Sequence, residues 1–306
     1  MKIIRAAKDL GNGSRKVCLA IGVFDGVHLG HQQIIRQTVA DAQSHDALAL
    51  IVTFDKHPNA VVAPEHLPLQ IFSRSQKISA VEAIGADALL EIPFNQEFSE
   101  KSGEKFIREL LRDLGSIQSI CVGSDFVFGH KRTGNVELLK KLGAELLFQV
   151  HGIAALALDG RVVSSTYIRK LVRSGSFDAA SQMLGRPYAI CGCVVEGDKL
   201  GRQLGFPTAN LDTVNLALPP KGVYAAKTRF QNRSYHVALN IGVRPTIAKS
   251  PQLRVEAHLL NFRGDLYGAE LEVEIIAKLR DERHFESPAE LREQIGRDVA
   301  AVRAAV

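Results

Sequence analysis

Residues 22–31 read Gly22-Val23-Phe24-Asp25-Gly26-Val27-His28-Leu29-Gly30-His31, and this run decides how the first half of the chain folds. The five residues before it, Val-Cys-Leu-Ala-Ile, are apolar without a break, as in a strand buried on both faces. Behind it, residues 32–44 carry apolar side chains at 34, 35, 39 and 42, a helical spacing. His28 and His31 therefore stand where a strand gives way to a helix. The first N–H groups of a helix have no partners within it and attract anions. Imidazoles at that point can donate to phosphoryl oxygens, while Gly22, Gly26 and Gly30 let the backbone approach closely. One capping histidine beside one surface histidine is the plainer reading. Two histidines framed by three glycines favour phosphate chemistry.

The alternation continues outward. Residues 47–54 read as a second buried strand, 73–84 as a helix and 88–92 as a short strand. Residues 102–114 place Phe106, Ile107, Leu110, Leu111 and Leu114 on one helical face and stop at Gly115. Then follow a strand at 117–122, a helix at 136–142 and a strand at 144–150. Such alternation predicts a doubly wound α/β fold on a parallel sheet, with ligands gathered at the carboxyl ends of the strands. The loop at 22–31, Thr53-Phe-Asp-Lys-His-Pro58 and Val122-Gly-Ser-Asp-Phe-Val-Phe-Gly129 all fall at such ends.

The pattern changes at Leu184-Gly185-Arg186-Pro187-Tyr188, after a helical stretch at 176–184. Residues 189–195, 223–230, 235–241, 253–261 and 271–279 read as strands joined by Gly- and Pro-rich turns, a β-barrel or sandwich. Ser287-Pro-Ala-Glu290 forms a capping box for a last helix with the stripe Leu291, Ile295, Val299 and Val302. Two domains are expected, 1–185 and 186–306, which suits a chain of 306 residues.

Composition narrows the function classes. Hydrophobic content of 46% and charged content of 23% are those of a globular protein, and no apolar run approaches the ~18 residues a membrane span needs. The amino-terminal residues lack the apolar core of a signal peptide. Four cysteines at 18, 121, 191 and 193 have no zinc-pair spacing and read as reduced thiols, so no structural metal and a cytoplasmic location are expected. A net charge of +5 and an isoelectric point near 9.0 raise nucleic acid as a partner. The basic residues are scattered without a run of five, however, so small anions explain the charge more economically than nucleic acid.

Two further segments carry chemistry. Ser164-Ser165-Thr166-Tyr167-Ile168-Arg169 sets three hydroxyls and a guanidinium around one turn, the donors a polyphosphate needs, or an ordinary helix cap with a solvated arginine. Gly201-Arg-Gln-Leu-Gly205-Phe-Pro-Thr208-Ala-Asn210-Leu offers two glycines, then a hydroxyl and an amide oxygen two residues apart. On an extended segment these face one side and could hold Mg²⁺; a hairpin with a polar tip is the alternative. Glu256 alternates with Val255 and Ala257, so it faces either solvent or a cavity, where it could act as a general base.

The whole chain resembles the bacterial bifunctional riboflavin kinase/FAD synthetase family. The resemblance runs through GVFDGVHLGH, TFDKHP, VGSDFVFG, SSTYIR and LGRPY. It continues through GRQLGFPTANL, GVYA, NIGVRPT, VEAHLLNF, DLYG and LRDE. It implies a nucleotidyltransferase domain in which FMN is adenylylated by ATP to FAD and pyrophosphate. ATP would lie against Gly22, Phe24, Asp25, His28 and His31, with the two histidines catalytic. Ser164, Ser165, Thr166 and Arg169 would hold the β- and γ-phosphates. Asp125, Phe126 and Phe128 become candidates for flavin contact. The resemblance also implies a small Greek-key β-barrel in which ATP phosphorylates riboflavin to FMN. There Glu256 would be the catalytic base, Gly201, Gly205, Thr208 and Asn210 would bind nucleotide, and Thr208 and Asn210 would ligate Mg²⁺. Riboflavin, FMN and ATP are then the partners, with no nucleic acid and no membrane, and a homo-oligomer stays open.

Four positions depart from the family pattern: Lys56, Asn135, Tyr167 and Ile247. None removes a residue given a catalytic role. Other nucleotidyltransferases, such as those making NAD, share the histidine and SSTxIR motifs but have no need of GRQLGFPTANL with VEAHL. A flavin- or nucleotide-binding protein whose catalysis has decayed would have lost His28, His31, Asn210 or Glu256, and all four are present.

Overall fold

The computed structural model describes residues 1–11, 13–243 and 253–305; Ile247 and the Arg-Pro-Thr of the NIGVRPT motif lie outside them. Contacts divide the chain into two compact units. One comprises residues 1–69 and 74–165, the other residues 70–73 and 166–306. The sequence reading sets its boundary near 186, so the helices at 165–184 are grouped by contact with the second unit.

The first unit is built on a six-stranded parallel sheet. Its strands are β1 (Lys2–Ile4), β2 (Val17–Ile21), β3 (Leu48–Phe54), β4 (Ala88–Ile92), β5 (Ile117–Gly123) and β6 (Gln149–Ile153), in the order β1-β4-β3-β2-β5-β6. Helix α1 (Leu29–Ser44) lies on one face, where Ala42 meets Cys18 and Ala49. Two one-turn helices, α2 (Asn59–Val62) and α4 (Gln96–Ser99), flank α3 (Arg74–Glu82) in sequence. Helix α5 (Gly103–Leu114) covers the other face. Ser102 Oγ caps it by accepting from the Lys105 N–H at 3.2 Å, and Gly115 ends it at φ 76°. Its buried Phe106, Ile107, Leu110 and Leu114 each contribute roughly 1.5–3 kcal/mol on leaving water. The doubly wound architecture holds because strands buried on both faces need a helical layer on each.

One expected element moves. Residues 144–146, read as the start of a strand, complete helix α6 (Val136–Leu146), and β6 begins at Gln149. Leu139 and Leu142 bury the helical stripe, and the chain breaks only at Leu147, which is left-handed (φ 63°) and exposed. Periodicity carried the helix past the run of apolar residues that mimics a strand. A two-strand ribbon, β7 (Ala157–Leu158) and β8 (Arg161–Val162), follows.

Helices α7 (Ser165–Ser174) and α8 (Phe177–Leu184) lead into the second unit. Its strands β9 (Ala189–Val195), β10 (Ala209–Asp212), β11 (Gly222–Phe230), β12 (Arg233–Val243), β13 (Leu253–Leu259) and β14 (Glu270–Arg280) close into an antiparallel barrel. In the barrel β14 lies beside β11 while β11, β12 and β13 run on as a meander. That spatial order makes a Greek key. Along β13, Val255, Ala257 and Leu259 are buried, while Arg254, Glu256 and His258 alternate with them on the outer face. The one-turn helix α9 (Leu200–Gln203) sits in the long β9–β10 connection. Helix α10 (Pro288–Ala305) ends the described chain. Ser287 Oγ accepts from the Glu290 N–H at 3.2 Å, the first half of the expected capping box, while the Glu290 carboxylate reaches one residue past the cap to accept from the Glu286 N–H at 3.2 Å. Among the described residues no helix is long and apolar enough to cross a membrane.

Candidate active sites

In the first unit the loops after β2, β3 and β5 leave from adjacent strands at their carboxyl ends. The loop at 22–31 is strained: Phe24 and Val27 hold φ of 52° and 38°, which L-residues adopt at a cost of about 1–3 kcal/mol each. The strain delivers His28 to the N-cap of α1, where its Nδ1 accepts from the His31 N–H at 3.3 Å. A neutral imidazole whose Nδ1 accepts carries its proton on Nε2, so His28 is fixed in the tautomer that donates from Nε2. The two rings stack at 3.6 Å, and Phe24 meets His31 edge-on at 5.3 Å. His31 Nδ1 is buried with no hydrogen-bond partner among the described residues.

Burial, then the nearby His28 and Lys77, hold the His31 pKa well below 6.5. The pair therefore works near neutrality with His31 as an uncharged hydrogen-bonding ring. Below about pH 6.5 the unfolded chain takes up a proton that folded His31 refuses. This contribution to stability is thus present above that pH and lost as pH falls. Unfolding temperatures measured by calorimetry from about pH 7 down to about pH 5 should fall more steeply in the wild type than in His31→Asn. Parallel curves would show that folded His31 protonates freely.

Ser165 Oγ donates to the Asp25 carbonyl at 2.9 Å, fastening the start of α7 to the histidine loop. Thr166 and Arg169 stand on the same helix and are grouped with the second unit. Lys77 was not singled out from the sequence. Its Nζ lies 3.4 Å from the Val23 carbonyl, which Thr53 Oγ1 also reaches at 3.1 Å, and burial pushes its pKa down from 10.5. No spacing rule marks a lysine brought to the loop from another helix.

Beside the loop, from Ile21 and Val23 outward, opens a cleft of about 640 Å³ walled by Phe54, Phe94, Phe98, Phe106, Phe126 and Phe128. Phe126 and Phe128 stack at 5.2 Å, and His57, Lys101, Lys131 and Arg132 stand along its edge. An aromatic slot with a cationic rim suits a flat ring system carrying a phosphate. Two of the three flavin candidates meet there. Asp125 is exposed, lies back against Gly123 and is not part of the wall. Asn135 serves as the N-cap of α6, its Oδ1 accepting from the Leu138 N–H at 2.9 Å.

The barrel carries the second site. Glu256 stands in register with Asn210 on one side and Asn240 on the other, so three polar side chains form a row across β10, β13 and β12. They line a hollow of about 300 Å³ with Thr208, Arg254 and His258, roofed by the β9–β10 connection and bordered by Leu291 and Ile295 of α10. Gly201 is part of this lining, and Gly205, at φ 90°, supplies the left-handed turn that brings the chain back toward Thr208. Asn210 is 9% exposed, and its Oδ1 has no hydrogen-bond partner among the described residues. Gly197 packs against the Asn210 amide so closely that a Cβ would collide with it. A second hollow of similar volume shares Thr208 and is lined by Leu259, Phe262, Leu266 and Tyr267. The cysteines are free thiols, and no cluster of metal-ligating side chains occurs among the described residues.

Comparison with known proteins accounts for both halves. Residues 12–167 match the family model described as FAD synthetase, and residues 184–306 match that described as riboflavin kinase. A protein of Buchnera aphidicola (subsp. Schizaphis graminum) named bifunctional riboflavin kinase/FMN adenylyltransferase is 36% identical over 99% of this chain and 98% of its own length. A Pseudomonas fluorescens protein of the same name is 38% identical over 99% and 97%. Among solved structures, one from Streptococcus pneumoniae described as a macrolide-efflux protein superposes with a TM-score of 0.82. It is 27% identical, over 98% of both chains. The chain belongs to the bifunctional riboflavin kinase/FMN adenylyltransferase family.

Proposed function

We propose that the chain makes FAD from riboflavin in two ATP-dependent transfers, one in each unit. The observation that carries this reading is the presence, in one family member, of two separate clusters of polar side chains suited to phosphate transfer. One is a stacked histidine pair at a helix N-terminus beside an aromatic cleft. The other is a glutamate set between two asparagines on a barrel.

In the barrel, riboflavin occupies the hollow facing Glu256, and ATP the adjoining hollow with Phe262 and Tyr267. The riboflavin 5′-hydroxyl oxygen bonds to the γ-phosphorus, the bond to the β-phosphate's bridging oxygen breaks, and ADP leaves. Glu256 takes the hydroxyl proton, because an alcohol is a poor nucleophile while it keeps it. The buried, unpartnered Asn210 Oδ1 and the Thr208 hydroxyl fit a divalent cation such as Mg²⁺, which when bound would neutralise phosphate charge.

In the first unit, FMN lies in the aromatic cleft with its phosphate toward the histidine loop, and ATP lies against Gly22, Phe24 and Asp25. The FMN phosphate attacks the α-phosphorus and pyrophosphate departs. No protein nucleophile or base is needed, since the FMN phosphate is already an anion. His28 and His31 donate hydrogen bonds to the charge that builds on the α-phosphate. Ser164, Ser165, Thr166 and Arg169 hold the departing phosphates. Domain limits of 1–185 and 186–306 and a cytoplasmic setting, where ATP is plentiful, complete the proposal.

The test is a single time course. Purified protein with riboflavin, ATP and Mg²⁺ should accumulate FMN and then FAD, separated by chromatography. FMN without FAD would remove the adenylyltransferase reading. A folded protein giving neither product would revive a binder without catalysis.

A further inference from the structure

We propose that Arg254 is a phosphate-contacting residue of the barrel's transfer reaction, for which two carboxylates compete with the nucleotide. The proposal rests on the riboflavin kinase reading of that site. Arg254 lies two residues before Glu256 on β13 and so shares its outward face. Its Nη1 donates to Glu256 Oε1 at 3.1 Å and to Asp198 Oδ2 at 2.8 Å. The rest of the guanidinium makes no protein hydrogen bond among the described residues. Asp198 belongs to the β9–β10 connection that roofs Asn210, so one side chain ties the roof to the floor of the site.

The other cations around this hollow have partners of their own. Arg280 is bidentate on Asp298 at 2.9 and 2.7 Å, Arg283 donates to Gln294 at 2.8 Å, and Lys199 pairs with Glu196 at 3.5 Å. Among the described residues lining this hollow, Arg254 is the cation bonded to Glu256. A terminal phosphate reaching past Thr208 from the adjoining hollow toward Glu256 and Asp198 would otherwise meet two like charges. The planar fork of an arginine matches the terminal phosphate's oxygens, on which charge is spread in the transfer. Moving to that phosphate, Arg254 releases Glu256 to accept the hydroxyl proton. Asp198 and the nucleotide thus compete for one guanidinium.

Competition gives two substitutions effects of opposite sign, which a purely structural tie would not. In the full chain, with FMN formation followed at varied ATP, Arg254→Gln should raise the KM for ATP about tenfold, the worth of a charge-assisted hydrogen bond. Arg254→Lys should recover part of that loss. Asp198→Asn should lower the KM severalfold by removing the competitor. Calorimetric unfolding of each full-length variant, compared with the wild type, reports that its barrel is folded. An unchanged KM in Arg254→Gln would overturn the proposal, as would Asp198→Asn raising the KM like the arginine variant. A wild-type chain making no FMN would instead remove the kinase reading itself.

Discussion

Replacing His31 by alanine is expected to abolish FAD formation from supplied FMN and ATP while leaving FMN formation from riboflavin near the wild-type rate. Loss of one positioned donor to a developing oxyanion typically lowers turnover by about 10²–10³-fold. The effect here falls at the upper end, because His31 supports its neighbour as well. Its backbone N–H holds His28 Nδ1, and its ring stacks on His28 at 3.6 Å. Removing the ring takes away that packing, while the backbone N–H of residue 31, which alanine keeps, still holds His28 Nδ1. The defect should appear in kcat more than in the KM for ATP, since the interaction grows as the α-phosphate gathers charge. His31 is half-buried, so alanine also leaves a gap beside His28. His31→Asn, which keeps a polar group of smaller volume, separates a catalytic defect from a folding one. If both variants lost FMN and FAD formation in equal measure while remaining folded, the assignment of the two reactions to separate units would fail.

How much of this was legible in the sequence depended on whether the signal was local. The strand-to-helix turn at 22–31 could be read because an unbroken apolar run and a 3.6-residue period meet there, and β2 and α1 lie where that reading put them. Glu256 could be placed on the face opposite Val255 and Ala257 by alternation alone. What alternation could not say is which side of the barrel carried the hollow. That depends on Asn210 and Asn240 arriving in register from strands well separated in sequence. Lys77 and the walls of the aromatic cleft other than Phe126 and Phe128 were missed for the same reason. Phe54, Phe94 and Phe98 come from three segments, and nothing in any one of them marks it as part of a slot. The strand read at 144–150 failed differently. Leu146, Leu147 and Phe148 are an apolar run in sequence, but the first ends a helix, the second is exposed and only the third is buried. Local hydrophobicity cannot distinguish these roles; the left-handed turn at Leu147 does.

Replacing Glu256 by glutamine should remove FMN formation and spare the conversion of supplied FMN to FAD. A positioned base contributes about 10²–10⁴-fold when it takes a proton in the transition state, so turnover should fall by that factor. The substitution suits the question because glutamine keeps the shape of the side chain and can still accept from Arg254 through its amide oxygen. Glu256 is also partly exposed, its side chain 26% accessible, so the change should cost little stability. Binding and chemistry then come apart in a predictable way. ATP affinity should hold or improve, because one carboxylate that repels the triphosphate and competes for Arg254 has become neutral. The rate of phosphoryl transfer should collapse, because the riboflavin hydroxyl now has no acceptor for its proton. Asn210 and Asn240, the in-register neighbours, cannot substitute, since an amide at neutral pH accepts hydrogen bonds without accepting protons. FMN formation at the wild-type rate by this variant would rule out Glu256 as the base and leave the row across β10, β13 and β12 with a binding role alone.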